Sequence, residues 1–387
     1  MSEASETGAR RFRLESILVV VLIYFFLVSV KLLGAGFQGL GGGFTSMLQG
    51  TVSSPLVGLA LGVLVTSIVQ SSSVTIATVI AMVGSGTLPV QMAIPMVMGA
   101  NIGTTITNTL VSIAHVPHRP EFRRAVATAT LHDFFNICCV AILFPLELAT
   151  HWLERVATFL TGALTGVEAG TMPDPFGFLI KPAVHLISGA AERVVGALSR
   201  SGEPSTRAIG FVLILVALGI LFGSLTLLVR SLRHLLSERM EGVLDRYLLA
   251  STGRGLALGF AITALFQSSS VTTSLMVPLG AAGLLSTQQV FPYMMGANIG
   301  TTIKATIAAL ATGRPEALTL ALVHLLFNGT GVVLMLLIPP LRRVPVLLAH
   351  AMGDAVMRNR AIVLFYAVVV FFVVPGIIIL VGGLLGR

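Results

Sequence analysis

Gln70-Ser71-Ser72-Ser73-Val74-Thr75 returns as Gln267-Ser268-Ser269-Ser270-Val271-Thr272, an offset of 197 residues from position 70 to position 267. The same offset carries Gly99-Ala100-Asn101-Ile102-Gly103-Thr104-Thr105 onto Gly296-Ala297-Asn298-Ile299-Gly300-Thr301-Thr302. It also carries Gly58-Leu59-Ala60-Leu61-Gly62 onto Gly255-Leu256-Ala257-Leu258-Gly259. Three blocks in register without a gap mark an internal duplication. Each copy sets hydroxyl, amide and glycine residues inside an otherwise apolar stretch, and the rest of the chain reads as a frame that brings the two polar patches together.

The surrounding composition is that of a membrane protein. Hydrophobic residues make up 55% of the chain and charged residues only 10%, against about a quarter charged in soluble domains. Apolar runs at Ile17–Val30, Ile209–Val229 and Ala361–Leu385 approach or reach the ~20 residues that a spanning helix needs. The net charge of +8 is read as cytoplasmic loop charge and not as a nucleic-acid footprint, because no basic patch is flanked by aromatics. Cys138 and Cys139 are adjacent in an apolar segment, which suits small packing residues and neither a disulfide framework nor a metal site. No cofactor is expected.

Basic residues set the expected topology. Arg10, Arg11 and Arg13 place the N-terminus in the cytoplasm, before an uncleaved first span over Leu14–Leu33. Gly34–Ser54 reads as a Gly-rich outer-interface segment. Pro55–Val83 is apolar but interrupted by the first serine string, so a re-entrant hairpin with its tip near mid-membrane is expected. Pro89–Ile113 reads as one crossing broken at Gly99–Gly103. A basic inner loop with Arg119, Glu121, Arg123 and Arg124 precedes the span Ala125–Leu146. The polar stretch Glu147–Arg207 goes outside, with Leu179–Leu198 amphipathic at the interface. Ala208–Val229 crosses inward to the basic stretch Arg230–Arg254. A second hairpin and a second broken helix follow, then the short loop Thr312–Glu316, the span Ala317–Ile338, an inner loop Leu341–Arg360 and a final span to an outer C-terminus.

The loop after the first broken helix is basic and the loop after the second is neutral, which orients the two copies oppositely. Inverted repeats are the mark of secondary transporters, with the site at the repeat interface. The expected fold is therefore an all-α integral membrane protein of two inverted-topology repeats, each with a re-entrant helical hairpin and a broken transmembrane helix. Residues 1–148 form the N-terminal repeat, 149–206 a polar extracellular or interfacial region, and 207–387 the C-terminal repeat with a last span.

A hairpin tip presents free N–H groups and the positive end of a helix, which suits an anion. Serine hydroxyls donate to it. Carbonyls and hydroxyls around Thr104, Thr105, Thr301 and Thr302 suit sodium. Neither motif holds Arg or Lys, so an oxyanion buried there requires cations that enter with it. Ser and Thr in a membrane helix also serve simply by bonding the i−4 carbonyl, but one string repeated at a fixed distance from a second repeated string argues for a site. His132-Asp133-Phe134-Phe135-Asn136 is echoed by His324-Leu325-Leu326-Phe327-Asn328, with His and Asn on one helix face in each. These histidines either line the site or bond a neighbouring helix. Asp133 has no counterpart in the second copy, and either compensates a cation or pairs with Arg123 or Arg124. The Asn328-Gly329-Thr330 sequon falls in an expected span and is disregarded.

Together the two Gln-Ser-Ser-Ser strings, the two Gly-Ala-Asn-Ile-Gly-Thr-Thr turns, Glu121-Phe122-Arg123-Arg124-Ala125 and His132-Asp133-Phe134-Phe135-Asn136 resemble the type II sodium-dependent phosphate cotransporters, here a prokaryotic member. The likeness runs from about Val52 to Leu148 and from Thr206 to Leu384. It implies sodium-coupled symport of inorganic phosphate across the plasma or inner membrane by alternating access. It places phosphate on Gln70, Ser71, Ser72, Ser73, Gln267, Ser268, Ser269 and Ser270, with Asn101 and Asn298 beside them. Sodium falls on Gln267, Ser268 and Thr301. The family has Ser where Ala297 stands and Thr where Lys304 stands. Lys304 is thus expected either to replace one sodium as a tethered cation, or to snorkel to the interface or pair with Asp133. The resemblance also implies a chain without the further C-terminal span of animal members. Rival readings are an anion transporter with reduced or no sodium dependence, a passive anion channel, a phosphate sensor, and an intramembrane serine hydrolase. The last lacks a G-x-S-x-G elbow.

Overall fold

The computed structural model describes residues 2–52, 54–166, 176–199, 205–248 and 251–385, with the side chains of 2–13, 232–248 and 385 outside the description. The charges read at Arg10, Arg11, Arg13 and between residues 232 and 248 therefore lie outside the described side chains. Among the described residues the chain is helical throughout, without strands. The first half comprises α1 (Ser2–Leu40), α2 (Gly42–Thr51), α3 (Pro55–Val69), α4 (Ser72–Gly84), α5 (Val90–Gly103), α6 (Ile106–Ser112), α7 (Arg119–Thr150) and α8 (Trp152–Thr165). After α9 (Gly177–Leu198), the second half comprises α10 (Thr206–Leu248), α11 (Thr252–Phe266), α12 (Ser269–Ser274), α13 (Met276–Ala281), α14 (Thr287–Thr312), α15 (Pro315–Leu337) and α16 (Pro339–Arg358). Last come α17 (Ile362–Val368), one π turn and α18 (Val374–Leu385).

Five described stretches are long and apolar enough to cross a membrane: Leu14–Leu40, Arg119–Thr150, Thr206–Ser231, Pro315–Leu337 and Ile362–Leu384. Polarity is distributed as in a multi-pass membrane protein. Phe211, Leu215, Ile377 and Leu380 are exposed, while Asn101, Asn108, His132, Asp133, Asn136, Asn298, His324 and Asn328 are buried. Water would reverse that preference; lipid does not.

Equivalent helices pack in equivalent pairs. α3 lies against α5 and α11 against α14, while α7 packs on α16 and α8 on α15, so each half lends a helix to the other. Glycine makes the first two contacts as close as backbones allow. A Cβ on Gly62 would stand 2.1 Å from the Met96 carbonyl oxygen, and one on its counterpart Gly259 would stand 2.0 Å from that of Tyr293. Gly99 and Gly296 face Leu59 O and Leu256 O in the same way, at 2.1 and 1.9 Å. Arg123 Nε donates to Asp354 Oδ1 at 2.6 Å on the exposed side of the α7–α16 contact, and this hydrogen bond holds the Asp354 carboxyl below its usual range.

The glycines account for several departures from the sequence reading. Helix α5 runs unbroken through Gly99–Gly103, and the break falls one step later at Thr104-Thr105. There the chain tightens into i→i+3 bonds, Thr105 N to Ile102 O at 3.1 Å and Asn108 N to Thr105 O at 3.0 Å. The second copy is not broken at all, since α14 continues through Gly296 and Gly300, both spent on packing against α11. Gly34–Ser54 is mostly helical, covered by the end of α1 and by α2. Helix α1 continues to Leu40 because Gly36 and Gly39 receive Gly210 of α10, a Cβ on Gly210 meeting Gly36 O at 2.7 Å. The stretch with Arg119, Glu121, Arg123 and Arg124 is the first turn of α7, and Leu341–Arg360 is largely α16; neither is a loop. Leu179–Leu198 lies within α9, which turns Ile180, Ala191 and Val195 inward.

The serine strings sit at sharp turns between short helices. Gln70 and Gln267 adopt left-handed backbone, at φ 59° and 55°, and Ser71 and Ser268 cap the helices that follow. Helices α3 and α11 have 15 residues each and α4 has 13, roughly 20 Å at ~1.5 Å per residue, short of the ~30 Å hydrocarbon layer. The arm after Gln267 is split at Leu275 because Pro278 has no N–H to give the Ser274 carbonyl.

Glycine packing gives a direct test. Gly99→Ala and Gly296→Ala are each expected to destabilise the purified protein by about 1–3 kcal/mol through overpacking, read as a lower melting temperature. Gly329→Ala in α15, where a Cβ meets nothing within 4 Å, should not lower it.

Candidate functional site

The two serine strings meet. Thr104 Oγ1 donates to Ser72 Oγ at 3.1 Å and lies 3.5 Å from Ser270 Oγ, so one threonine touches both. Beside this contact is a cavity of about 360 Å³ lined by Gln70, Ser71 and Ser73 from the first string and Gln267 and Ser268 from the second. Its wall is completed by α10 through Phe222, Leu225, Thr226, Val229 and Arg230. The Ser71 and Ser268 hydroxyls each accept only a long bond, 3.4 Å, from the N–H three residues on. Their own protons remain for a guest.

One more residue lines the cavity, and it alters the charge. Lys304, only 7% exposed, donates from Nζ to Ser73 Oγ at 2.7 Å. It neither snorkels nor pairs with Asp133. No lining residue is a carboxylate, whereas the buried Lys304 and the exposed Arg230 both line the cavity. The lack of Arg and Lys within the motifs is thus made good from outside them, by α14 and α10. A smaller void of about 10 Å³, room for roughly one water, lies between Ser72, Ser73, Thr301 and Lys304.

Other expected site residues are placed behind the cavity. Asn298 accepts from His132 Nε2 at 2.6 Å and donates to Asn136 Oδ1 at 2.6 Å. Asn136 in turn donates to the Asn101 carbonyl at 3.0 Å. His324 Nε2 donates to Asn101 Oδ1 at 3.4 Å. Each histidine thus bonds the asparagine of the other copy's repeated turn, and neither His132, His324, Asn101 nor Asn298 lines the cavity. Thr105, Thr301 and Thr302 turn their hydroxyls back to Ile102, Asn298 and Ile299 carbonyls. Asp133 accepts from Thr109 at 3.0 Å and not from Arg123 or Arg124; Arg123 is bound to Asp354, and Arg124 donates to Ala281 O at 2.7 Å. Ser269 is buried, its carbonyl bonded by Thr273.

Residues that the sequence reading missed are Arg230, Thr226 and Thr107. Arg230 was read only as a topology charge. Thr107 would have been found by applying the 197-residue offset to Lys304, of which it is the counterpart; its Oγ1 donates to Gln70 Oε1 at 3.0 Å. Two other polar clusters stand apart. A cavity of about 210 Å³ beside Arg124, Ser286 and His350 contains none of the repeated serines. Glu147, near His151 and Glu154, spends its carboxylate on the N–H groups of Leu153 and Glu154 and so caps α8.

The chain is 31% identical to sodium-dependent phosphate transport protein 2B of Pongo abelii and 32% identical to that of Homo sapiens, over 93% of this chain and 64% of each relative. It is 31% identical to sodium-dependent phosphate transport protein 2A of Ovis aries, over 93% of this chain and 66% of the relative. It thus spans a little under two thirds of the length of the curated relatives it matches. No solved structure is a significant match. The Na+/Pi-cotransporter family matches residues 25–166 and 220–353, which contain both serine strings, both Gly-Ala-Asn-Ile-Gly turns and Lys304. The chain belongs to the Na+/Pi-cotransporter family.

Proposed function

We propose that this chain is a secondary active transporter that couples inorganic phosphate to sodium and moves both across the membrane by alternating access. One observation carries the reading: the cavity between the two serine strings offers paired hydroxyls and two cations with no carboxylate. Such a lining favours a small oxyanion over a cation or a neutral solute. The cotransporter family and the sodium and phosphate of the relatives' names support the same substrates. A hydrolase is not supported, since this is a cotransporter family and a nucleophile duplicated in two equivalent strings has no use. A passive channel would not explain the relatives' sodium dependence.

In this reading phosphate is held by Gln70, Ser71, Ser73, Gln267 and Ser268, with Ser72, Ser269 and Ser270 shaping the turns. Sodium is assigned to carbonyls and hydroxyls about Gln267, Ser268 and Thr301, and Thr104, Thr105 and Thr302 complete the second layer. Residues 1–148 and 207–387 are two repeats of opposite topology, with re-entrant hairpins at the serine strings and 149–206 between them on the outside. The reciprocal contacts α7–α16 and α8–α15, and the exchanged His–Asn bonds, support a two-fold relation between the halves. With α10 running inward, Arg230 marks the cytoplasmic end of the cavity.

Ser71→Gly combined with Ser268→Gly removes the two capping hydroxyls that line the cavity while costing the helix caps only a few tenths of a kcal/mol each. Loss of one charge-assisted hydrogen bond, about 1.5–3 kcal/mol, should raise the phosphate KM for sodium-driven uptake into liposomes roughly tenfold or more, at unchanged protein content. Normal uptake by the double variant would contradict the site.

Topology has its own test. Cysteine at exposed His118 should react with impermeant reagents from the cytoplasm only, and cysteine at exposed Arg314 from outside only. Arg314 serves better than Gly313, whose φ of 66° disfavours any side chain. Labelling of both from one side refutes opposite orientation of the copies.

A further inference from the structure

The duplication supplies its own control for one residue. The position equivalent to Lys304 in the first copy is Thr107. Thr107 bonds the glutamine of its own string, Gln70, at 3.0 Å. Lys304 instead leaves its own string and reaches across to Ser73 of the other copy at 2.7 Å. The two-fold pattern that relates Gln70 to Gln267, Ser71 to Ser268 and Gly99 to Gly296 fails here, and it fails by one positive charge. That charge is almost fully buried, has no carboxylate within ion-pair distance among the described residues, and lines both the cavity and the small void next to Thr301. A buried ammonium held only by a neutral hydroxyl is costly unless an anion joins it.

Resting on the transport reading above, we propose that Lys304 is a built-in counter-cation of the phosphate cavity: it fills the place of one mobile cation, so that phosphate binds with one sodium fewer than it would with threonine at 304. Lys304 and Thr301, three residues apart on one face of α14, both line the small void, which holds about one water-sized particle. A lysine charge stays with the protein through the cycle, whereas a sodium ion crosses with phosphate. The substitution therefore removes one charge from the translocated set as well as one ion from the binding equilibrium.

The test uses the full chain, purified and reconstituted, with radiolabelled inorganic phosphate. Phosphate binding by the wild type, titrated in sodium balanced by choline, is expected to depend on one sodium fewer than binding by Lys304→Thr. Lys304→Met and Lys304→Thr should weaken phosphate binding at low, fixed sodium on the order of tenfold or more, while Lys304→Arg retains it. In uptake, Lys304→Thr should raise the Hill coefficient for sodium by about one and steepen the dependence on membrane potential. Phosphate affinity at low, fixed sodium that is the same in the wild type and in folded Lys304→Met overturns the proposal. An unchanged Hill coefficient and voltage dependence in a folded Lys304→Thr also overturns it. Absence of sodium-stimulated uptake by the wild type overturns the transport reading instead, and the comparison of phosphate affinity between the wild type and Lys304→Met then decides the anion site alone.

Discussion

The position of the site depends on two pairs of backbones that touch. Gly62 and Gly99 let α3 and α5 approach until a single Cβ would overlap a carbonyl oxygen, and Gly259 and Gly296 do the same for α11 and α14. In lipid there is no hydrophobic drive to press such helices together, so close packing must supply the attraction. The consequence reaches the chemistry. Helices α3 and α11 end at Gln70 and Gln267, and their seating on α5 and α14 fixes where those turns lie. A left-handed residue at each turn then ends the helix, and the serine that follows caps a new one.

Depth in an apolar medium makes every remaining polar atom expensive, and the chain answers by pairing the two copies with each other. His132 bonds Asn298 and His324 bonds Asn101; Asn108 accepts from Thr273, and Thr104 spans Ser72 and Ser270. These contacts run between residues more than a hundred and sixty positions apart, apart from Thr104 to Ser72. An unmade bond of this kind costs about 1–3 kcal/mol, so either half alone would expose a row of unsatisfied groups. The halves are one folding unit for that reason, although their sequences read as two.

Much of this was legible beforehand. A gapless offset of 197 residues identifies the duplication, and hydropathy identifies the spans close to where they fall. What escaped the sequence has a common cause. Glycine has two uses, to bend a helix or to admit another, and nothing in Gly-Ala-Asn-Ile-Gly says which; Gly99–Gly103 and Gly296–Gly300 turned out to admit. Charge in a short segment likewise does not separate a loop from a helix end, so Arg119–Arg124 and the Arg342–Arg360 region were read as loops although both are mainly helix. The exchanged His–Asn bonds were out of reach because each residue's partner sits in the other copy, at no fixed spacing.

A duplicated site built from identical strings would be neutral on both sides, and an anion within it would draw all its compensation from solution. Here symmetry holds for what shapes the cavity and lapses for what charges it. Ser71 and Ser268 present the same hydroxyl in the same capping role, whereas Thr107 and Lys304 differ by a full charge and point in different directions. At about 4 Å two unit charges interact by roughly 4 kcal/mol at an effective dielectric of 20, more than any single hydroxyl contributes. Shape is therefore shared between the copies, while the electrostatics of the site rest on the second copy and on Arg230 of α10.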